Sequence, residues 1–194
     1  KWNIPTNKKL LIYLSRVASE KNLVFLFDAI KILSSKRNDF HVILIGGGKE
    51  LPYFQKKAKQ MGLESVITFT DKQPVEIAHR ILRDDAIFIF PSITETQGIV
   101  IVESMAAGMP AVAVGIMGPT DVIRNEIDGF LTGLKTNEFA DKIEKLLDND
   151  SLRIKMGAQA KEDARKYSIQ NCAREMIDVY EKTIDSNRSK QSTS

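Results

Sequence analysis

The feature that most narrows the folds open to this chain is an alternation of two hydrophobic periods. Short apolar runs rich in branched residues recur at 10–14, 42–45, 66–69, 86–90 and 111–114, with 129–132 as a shorter sixth. They are apolar nearly throughout, the pattern of strands buried on both faces. Between them lie stretches of helical spacing, such as 20–35, where Leu23, Leu26, Ala29, Ile30 and Leu33 share one face. Further helices are expected at 50–61, 74–82 and 97–107. Strands separated by helix-length crossovers can pair in parallel, so the pattern predicts an α/β fold whose sheet is covered on both sides.

After about residue 136 the spacing becomes helical throughout. Phe139, Ile143, Leu146 and Leu147 share a face, and the polar run Asp148, Asn149, Asp150 and Ser151 ends that helix and caps the next. Helices are expected at 152–167 and 169–184, followed by a polar tail, 185–194, expected to be disordered. The reading is one α/β domain over 1–184 with a helical C-terminal extension. The 194 residues carry 28 basic and 25 acidic side chains, a net +3, which gives no basic field for nucleic-acid binding. A lone Cys172, expected to pack inside its helix, fits a reducing compartment and excludes a multi-cysteine zinc site. The first residue is Lys1, so the sequence reads as a piece of a longer protein.

In open parallel sheets ligands bind at the carboxyl ends of the strands. That rule selects the loops that begin at Ser15–Arg16, Gly46–Gly48, Thr70–Lys72, 91–98 and 115–120. The most informative segment is 95–110, ETQGIVIVESMAAGMP. Its helix is apolar nearly all round and is expected to be buried, yet Glu103 lies in its middle. A buried carboxylate must find donors. The two hydroxyls of a ribose would serve; an internal arginine or a backbone N–H is the alternative. Glu95, eight positions earlier, can face the same ligand. Gly98 and Ile99 offer free backbone N–H groups at the helix start, a cradle for phosphate. Arg16 and Lys21 bracket the first strand–helix turn and could neutralise a diphosphate, although Glu20 could instead pair with either cation on the surface.

Other patterns carry less. Gly46-Gly47-Gly48-Lys49-Glu50 has neither P-loop spacing nor the full G-x-G-x-x-G fingerprint, so Gly47 is a candidate only by its place at a strand end. Asp148-Asn149-Asp150 reads as a turn and cap rather than a metal site. His41 and His79 read as structural. No Ser-His-Asp or metal-ligand cluster is visible.

Three landmarks in order carry a resemblance. SRVASEKNL at 15–23, HVILIGGGKE at 41–50 and FPSITETQGIVIVESMAAGMPAVA at 90–113 resemble the C-terminal, donor-binding domain of retaining GT-B glycosyltransferases with an E-x7-E motif. The resemblance implies a Rossmann-like, doubly wound parallel sheet and a nucleotide-sugar donor, UDP-glucose by preference, with no cofactor and no metal. It places Arg16 and Lys21 on the diphosphate, Glu103 on the ribose and Glu95 over the hexose. Thr96, Gln97, Gly98 and Ile99 would line the sugar and phosphates, and the loop to Lys72 would border the base. It also implies that an acceptor-binding domain precedes Lys1, so that this chain alone has little transferase activity.

Two departures stand out. The T-E-T-Q-G form around Glu95 is similar to bacterial diacylglycerol glucosyltransferases, which points the acceptor toward a membrane lipid. The implied location is cytoplasmic, at the inner membrane face for the whole protein. Asp121 stands where the family more often has a glutamate. The competing classes are a transferase for oligosaccharide acceptors, a nucleotide-binding regulatory domain without transfer chemistry, and a dinucleotide redox enzyme, against which the missing G-x-G-x-x-G argues.

Overall fold

The computed structural model describes residues 2 and 4–191. Six strands form one parallel sheet: β1 (Lys9–Leu14), β2 (Phe40–Ile45), β3 (Ile67–Asp71), β4 (Ile87–Phe90), β5 (Ala111–Val114) and β6 (Gly129–Thr132). Their order is β3-β2-β1-β4-β5-β6, with every neighbouring pair parallel. The direction of winding therefore reverses between β1 and β4. Loops leaving those two strands diverge and open a crevice at their carboxyl ends.

Alternation along each strand divides the core in two. Leu11, Tyr13, Val42, Leu44, Ile87, Ile89, Val112 and Val114 face one cluster, with α1 (Leu23–Lys36), α2 (Leu51–Gln60) and α6 (Thr136–Asp148). Leu10, Ile12, Ile43, Ile45, Phe88, Phe90, Ala111 and Ala113 face the other. That face carries α3 (Val75–Ile81), α4 (Ile99–Ala106), α5 (Gly118–Val122) and much of α7 (Asp150–Ala164). Each fully buried Leu, Ile or Phe contributes about 1.5–3 kcal/mol. A one-residue slip in any strand would exchange the two faces.

Element boundaries follow local chemistry. Helix α1 starts three residues later than its apolar spacing predicts. A 3₁₀ turn, Ser19–Lys21, precedes it, and Asn22 adopts a left-handed conformation at φ 57°. Asn149 caps α7 as expected, its side-chain oxygen accepting from Leu152 N–H at 2.8 Å. Helix α5 has no counterpart in the sequence reading, because five residues are too few to show a period. His41 is buried in β2 with Nε2 2.8 Å from Thr68 Oγ1, and burial lowers its pKa.

Two expectations about the C-terminal part are corrected. Helix α8 (Ile169–Gln191) runs through most of the polar segment expected to be disordered. The reason is that this stretch contains neither Gly nor Pro, and polarity alone does not break a helix. Residues 192–194 lie outside the described residues. Cys172 is exposed, not packed, because α8 leaves the body of the domain: Met176, Ile177, Val179, Tyr180 and Ile184 are all exposed as well.

Small residues decide how closely α7 can approach. A Cβ on Gly157 would overlap the carbonyl of Gly108, in the turn between α4 and β5. Helix propensity alone predicts that Gly157→Ala stabilises by roughly 0.5–1 kcal/mol. The backbone clash predicts instead a loss of about 2–3 kcal/mol. Urea unfolding measures the sign directly, and a gain in stability would show that α7 does not rest on Gly108.

Candidate functional site

The crevice between β1 and β4 is closed at its base by backbone ties. Asn22 Nδ2 donates to Pro91 O at 3.2 Å, and Thr94 Oγ1 donates to Glu20 O at 3.3 Å. These bonds hold the turn after β1 against the loop after β4, and they bring together two side chains 74 positions apart. Lys21 Nζ lies 3.2 Å from Glu95 Oε2, with side-chain exposures of 10% and 20%. Such burial makes the pair one unit, since removing either partner leaves a poorly solvated charge.

Glu95 is held three ways. Its other carboxylate oxygen, Oε1, accepts from Gly98 N–H at 3.2 Å. Its carbonyl accepts from Gly118 N–H at 2.8 Å. Gly118 is glycine because a Cβ would sit 2.9 Å from that same carbonyl oxygen. Gly98 is left-handed at φ 69° and starts α4, so its conformation favours glycine. The carboxylate thus lies at the positive end of α4, beside N–H groups with no partner inside the helix. Thr96 and Gln97 are exposed in the intervening loop, and Ile99 is 59% exposed on the first turn of α4.

Arg16 sits at the opposite lip. Its carbonyl accepts from the hydroxyl of Tyr13 at 3.0 Å, and the guanidinium, 75% exposed, pairs with Glu20 at 3.1 Å. Burial pushes the Tyr13 phenol well above its ordinary range, so it remains a donor. Arg16 lines a cleft of about 520 Å³ over the ends of β1, β2 and β3, together with Gly47, Asp71, Lys72, Gln73 and Ala78. The three glycines at 46–48 are explained by packing. Gly46 and Gly48 lie against the backbone of Ser15 and Val17, and Gly47 against the Asp71 carboxylate. Gly47 also accepts from Val17 N–H at 2.9 Å. Asp71 is left-handed at φ 62°, and its Oδ1 accepts from Lys72 N–H at 2.6 Å, so Lys72 is fixed through its backbone.

Glu103 departs from expectation. It is not buried: its side chain is 38% exposed, because α4 covers the sheet with Ile101 and Met105 and turns Ile99, Val102 and Glu103 outward. Its partner is neither an arginine nor a backbone N–H but His79 of α3, with Nε2 3.6 Å from Oε1. The sequence reading assigned His79 to structure because a single histidine in a helix carries no spacing signal. The roles of Tyr13 and Gly118 carry no motif either, since each acts through a backbone carbonyl, that of Arg16 and that of Glu95.

Among the described residues no cluster of three or more His, Cys, Asp or Glu could hold a metal ion. No described helix is long and apolar enough to cross a membrane. What the arrangement offers is a pair of basic side chains, free helix N–H groups and two carboxylates at the carboxyl edge of a doubly wound sheet. That combination defines a class of site for an anionic, hydroxyl-bearing ligand.

The family follows from comparison with known proteins. Residues 1–163 match the family described as glycosyl transferases group 1, and the chain belongs to it. It is similar to D-inositol 3-phosphate glycosyltransferase of Corynebacterium glutamicum, 29% identical over 188 residues that cover 93% of this chain and 45% of that protein. Alpha-D-kanosaminyltransferase of Streptomyces kanamyceticus is 28% identical, over 90% of this chain and 46% of its own length. The chain therefore spans about half the length of these relatives. Among solved structures, S. aureus TarM in complex with UDP and alpha-GlcNAc-glycerol superposes with a TM-score of 0.82 at 26% identity, covering 92% of this chain and 37% of that one. Sucrose-phosphate synthase from Thermosynechococcus elongatus gives 0.82 at 20% identity over 95% and 47%, a likeness of fold.

The Lys21–Glu95 pair makes a direct prediction. Glu95→Gln removes the charge that competes for Lys21, so pyrophosphate should bind about threefold or more tighter. Isothermal titration checks this; unchanged or weaker binding would show that Glu95 does not hold Lys21 back from anions.

Proposed function

We propose that this chain is the donor-binding half of a retaining transferase that moves glucose from UDP-glucose to an acceptor hydroxyl. The observation that carries the reading is the buried Lys21–Glu95 pair at the start of α4. A diphosphate entering the crevice offers Lys21 more negative charge than Glu95 does, and it also accepts from the free N–H groups of α4. Lys21 transfers to the phosphates, and Glu95, released from it, accepts from hexose hydroxyls. Arg16 swings from its exposed pairing with Glu20 to the same diphosphate. Glu103 accepts from the ribose, and the cleft over Gly47 and Lys72 takes the base.

The catalytic logic is electrostatic. As the bond between sugar and phosphate breaks, charge grows on the leaving diphosphate, where Lys21, Arg16 and the helix N–H groups strengthen their hold. The acceptor attacks from the same face, so configuration is retained, and the departing diphosphate takes up its proton. UDP as the nucleotide is supported by its presence with TarM.

The acceptor is argued from the T-E-T-Q-G segment at 94–98, which favours diacylglycerol in a membrane reached through a preceding domain. The name of one sequence relative favours a second reading, a polyol phosphate acceptor.

Titration of the chain with UDP and UDP-glucose should show binding of both. Glu103→Ala should weaken UDP by about tenfold, the scale of a hydrogen bond to a charged group. Absence of UDP-glucose binding, together with an unchanged UDP affinity in Glu103→Ala, would sink the donor-site reading. The chain by itself should transfer no glucose. Labelled donor given to the whole protein with diacylglycerol vesicles or with free inositol phosphate separates the two acceptor readings.

A further inference from the structure

Two partly exposed side chains from different helices meet where packing does not require it. His79 projects from α3 and Glu103 from α4, with Nε2 3.6 Å from Oε1 and side-chain exposures of 46% and 38%. Among the described residues, no other ion pair or hydrogen bond engages either side chain. Lys161 and Arg165 border the groove that Glu103 lines, but Arg165 pairs with Glu162 at 3.1 Å, and neither reaches Glu103. Lys72 and Arg16 belong to the cleft on the other side of α3. Among the described residues, His79 is thus the side chain that Glu103 faces at ion-pair distance.

The place of the pair in the fold matters. Ala78, next to His79, lines the cleft over Gly47, Lys72 and Gln73, whereas Glu103 lines the groove along α4. His79 stands between the surface assigned to the base and the carboxylate assigned to the sugar attached to it. A glutamate on an outward helix face is free to sample several rotamers and loses that freedom when it grips a ligand. A partner that holds one of its oxygens beforehand reduces the loss.

We propose that His79 is a positioning residue for nucleotide recognition: it donates from Nε2 to Glu103 Oε1 and so directs Oε2 at the ribose diol. The two atoms stand 3.6 Å apart, just beyond hydrogen-bond length, and both side chains are exposed enough to turn toward each other. The proposal rests on the reading of Glu103 as the ribose ligand. It adds that ribose selectivity is set from α3 as well as from α4.

The experiment compares affinities for UDP, 2′-deoxy-UDP and pyrophosphate by isothermal titration of the whole 194-residue chain and three variants. The unmodified protein should prefer UDP to 2′-deoxy-UDP by about tenfold. Glu103→Gln should abolish the preference. His79→Ala should reduce it to about threefold without changing pyrophosphate affinity, and His79→Gln, which keeps an N–H donor, should recover much of it. A preference intact in His79→Ala but lost in Glu103→Gln would overturn the role of His79 and leave the ribose reading standing. No preference in the unmodified protein, or one that survives Glu103→Gln, would overturn both. A parallel loss of pyrophosphate affinity in His79→Ala would assign His79 to general structure and also overturn the proposal.

Discussion

Strand β1 lies inside the sheet with β2 on one side and β4 on the other, and its two faces feed two separate apolar cores. Everything else in the domain hangs on that position. Because β1 and β4 are successive in space but not in sequence, the chain leaves them toward opposite sheet edges, and no loop crosses the gap above their ends. The gap is the one place at the carboxyl edge where two loops can approach a ligand from both sides. Burial of Leu11 and Tyr13 on one face and Leu10 and Ile12 on the other fixes the register that puts Ser15 and Arg16 at its rim.

Charge at that rim is arranged as a set of exchangeable pairs. Lys21 and Glu95 satisfy each other at 3.2 Å in a poorly solvated crevice, whereas Arg16 and Glu20 do so at 3.1 Å in solvent. Water screens the enclosed pair less than the exposed one. In the proposed donor complex a diphosphate draws both cations without leaving either carboxylate stranded. Glu95 keeps the Gly98 N–H and turns to sugar hydroxyls, and Glu20 faces water. Folding and ligand binding thus draw on the same residues. The pairing that gives Lys21 a partner in its poorly solvated crevice also fixes the position of Glu95.

Much of this was legible in the sequence. Apolar runs with helix-length spacers located all six strands within a residue or two, and β5 and β6 to the residue. The strand-end rule by itself singles out the loops holding Arg16, Lys21, Glu95 and Lys72. Other features were not legible, for identifiable reasons. The apolar composition of 99–107 implied a buried helix, but α4 covers the sheet with one side only, so Glu103 reaches solvent. The triple glycine matched no phosphate-binding motif, and only the structure shows what its small size serves, the close approach of Ser15 and Val17. Cys172 lies on a helix whose apolar side chains are at least half exposed, a fact that periodicity within a helix cannot reveal.

The sequence by itself determined the class of fold and which loops gather at the carboxyl ends of the strands. These follow from local spacing and from the burial that each segment demands. Only the tertiary structure decided which residues meet. Lys21 joins Glu95 across 74 positions, Tyr13 holds the Arg16 carbonyl, Gly118 supports the Glu95 backbone, and His79 faces Glu103. The physical reason is that side-chain pairing at a switch point depends on strand order and on the approach of loops from distant elements. Neither leaves a period or a motif in the chain.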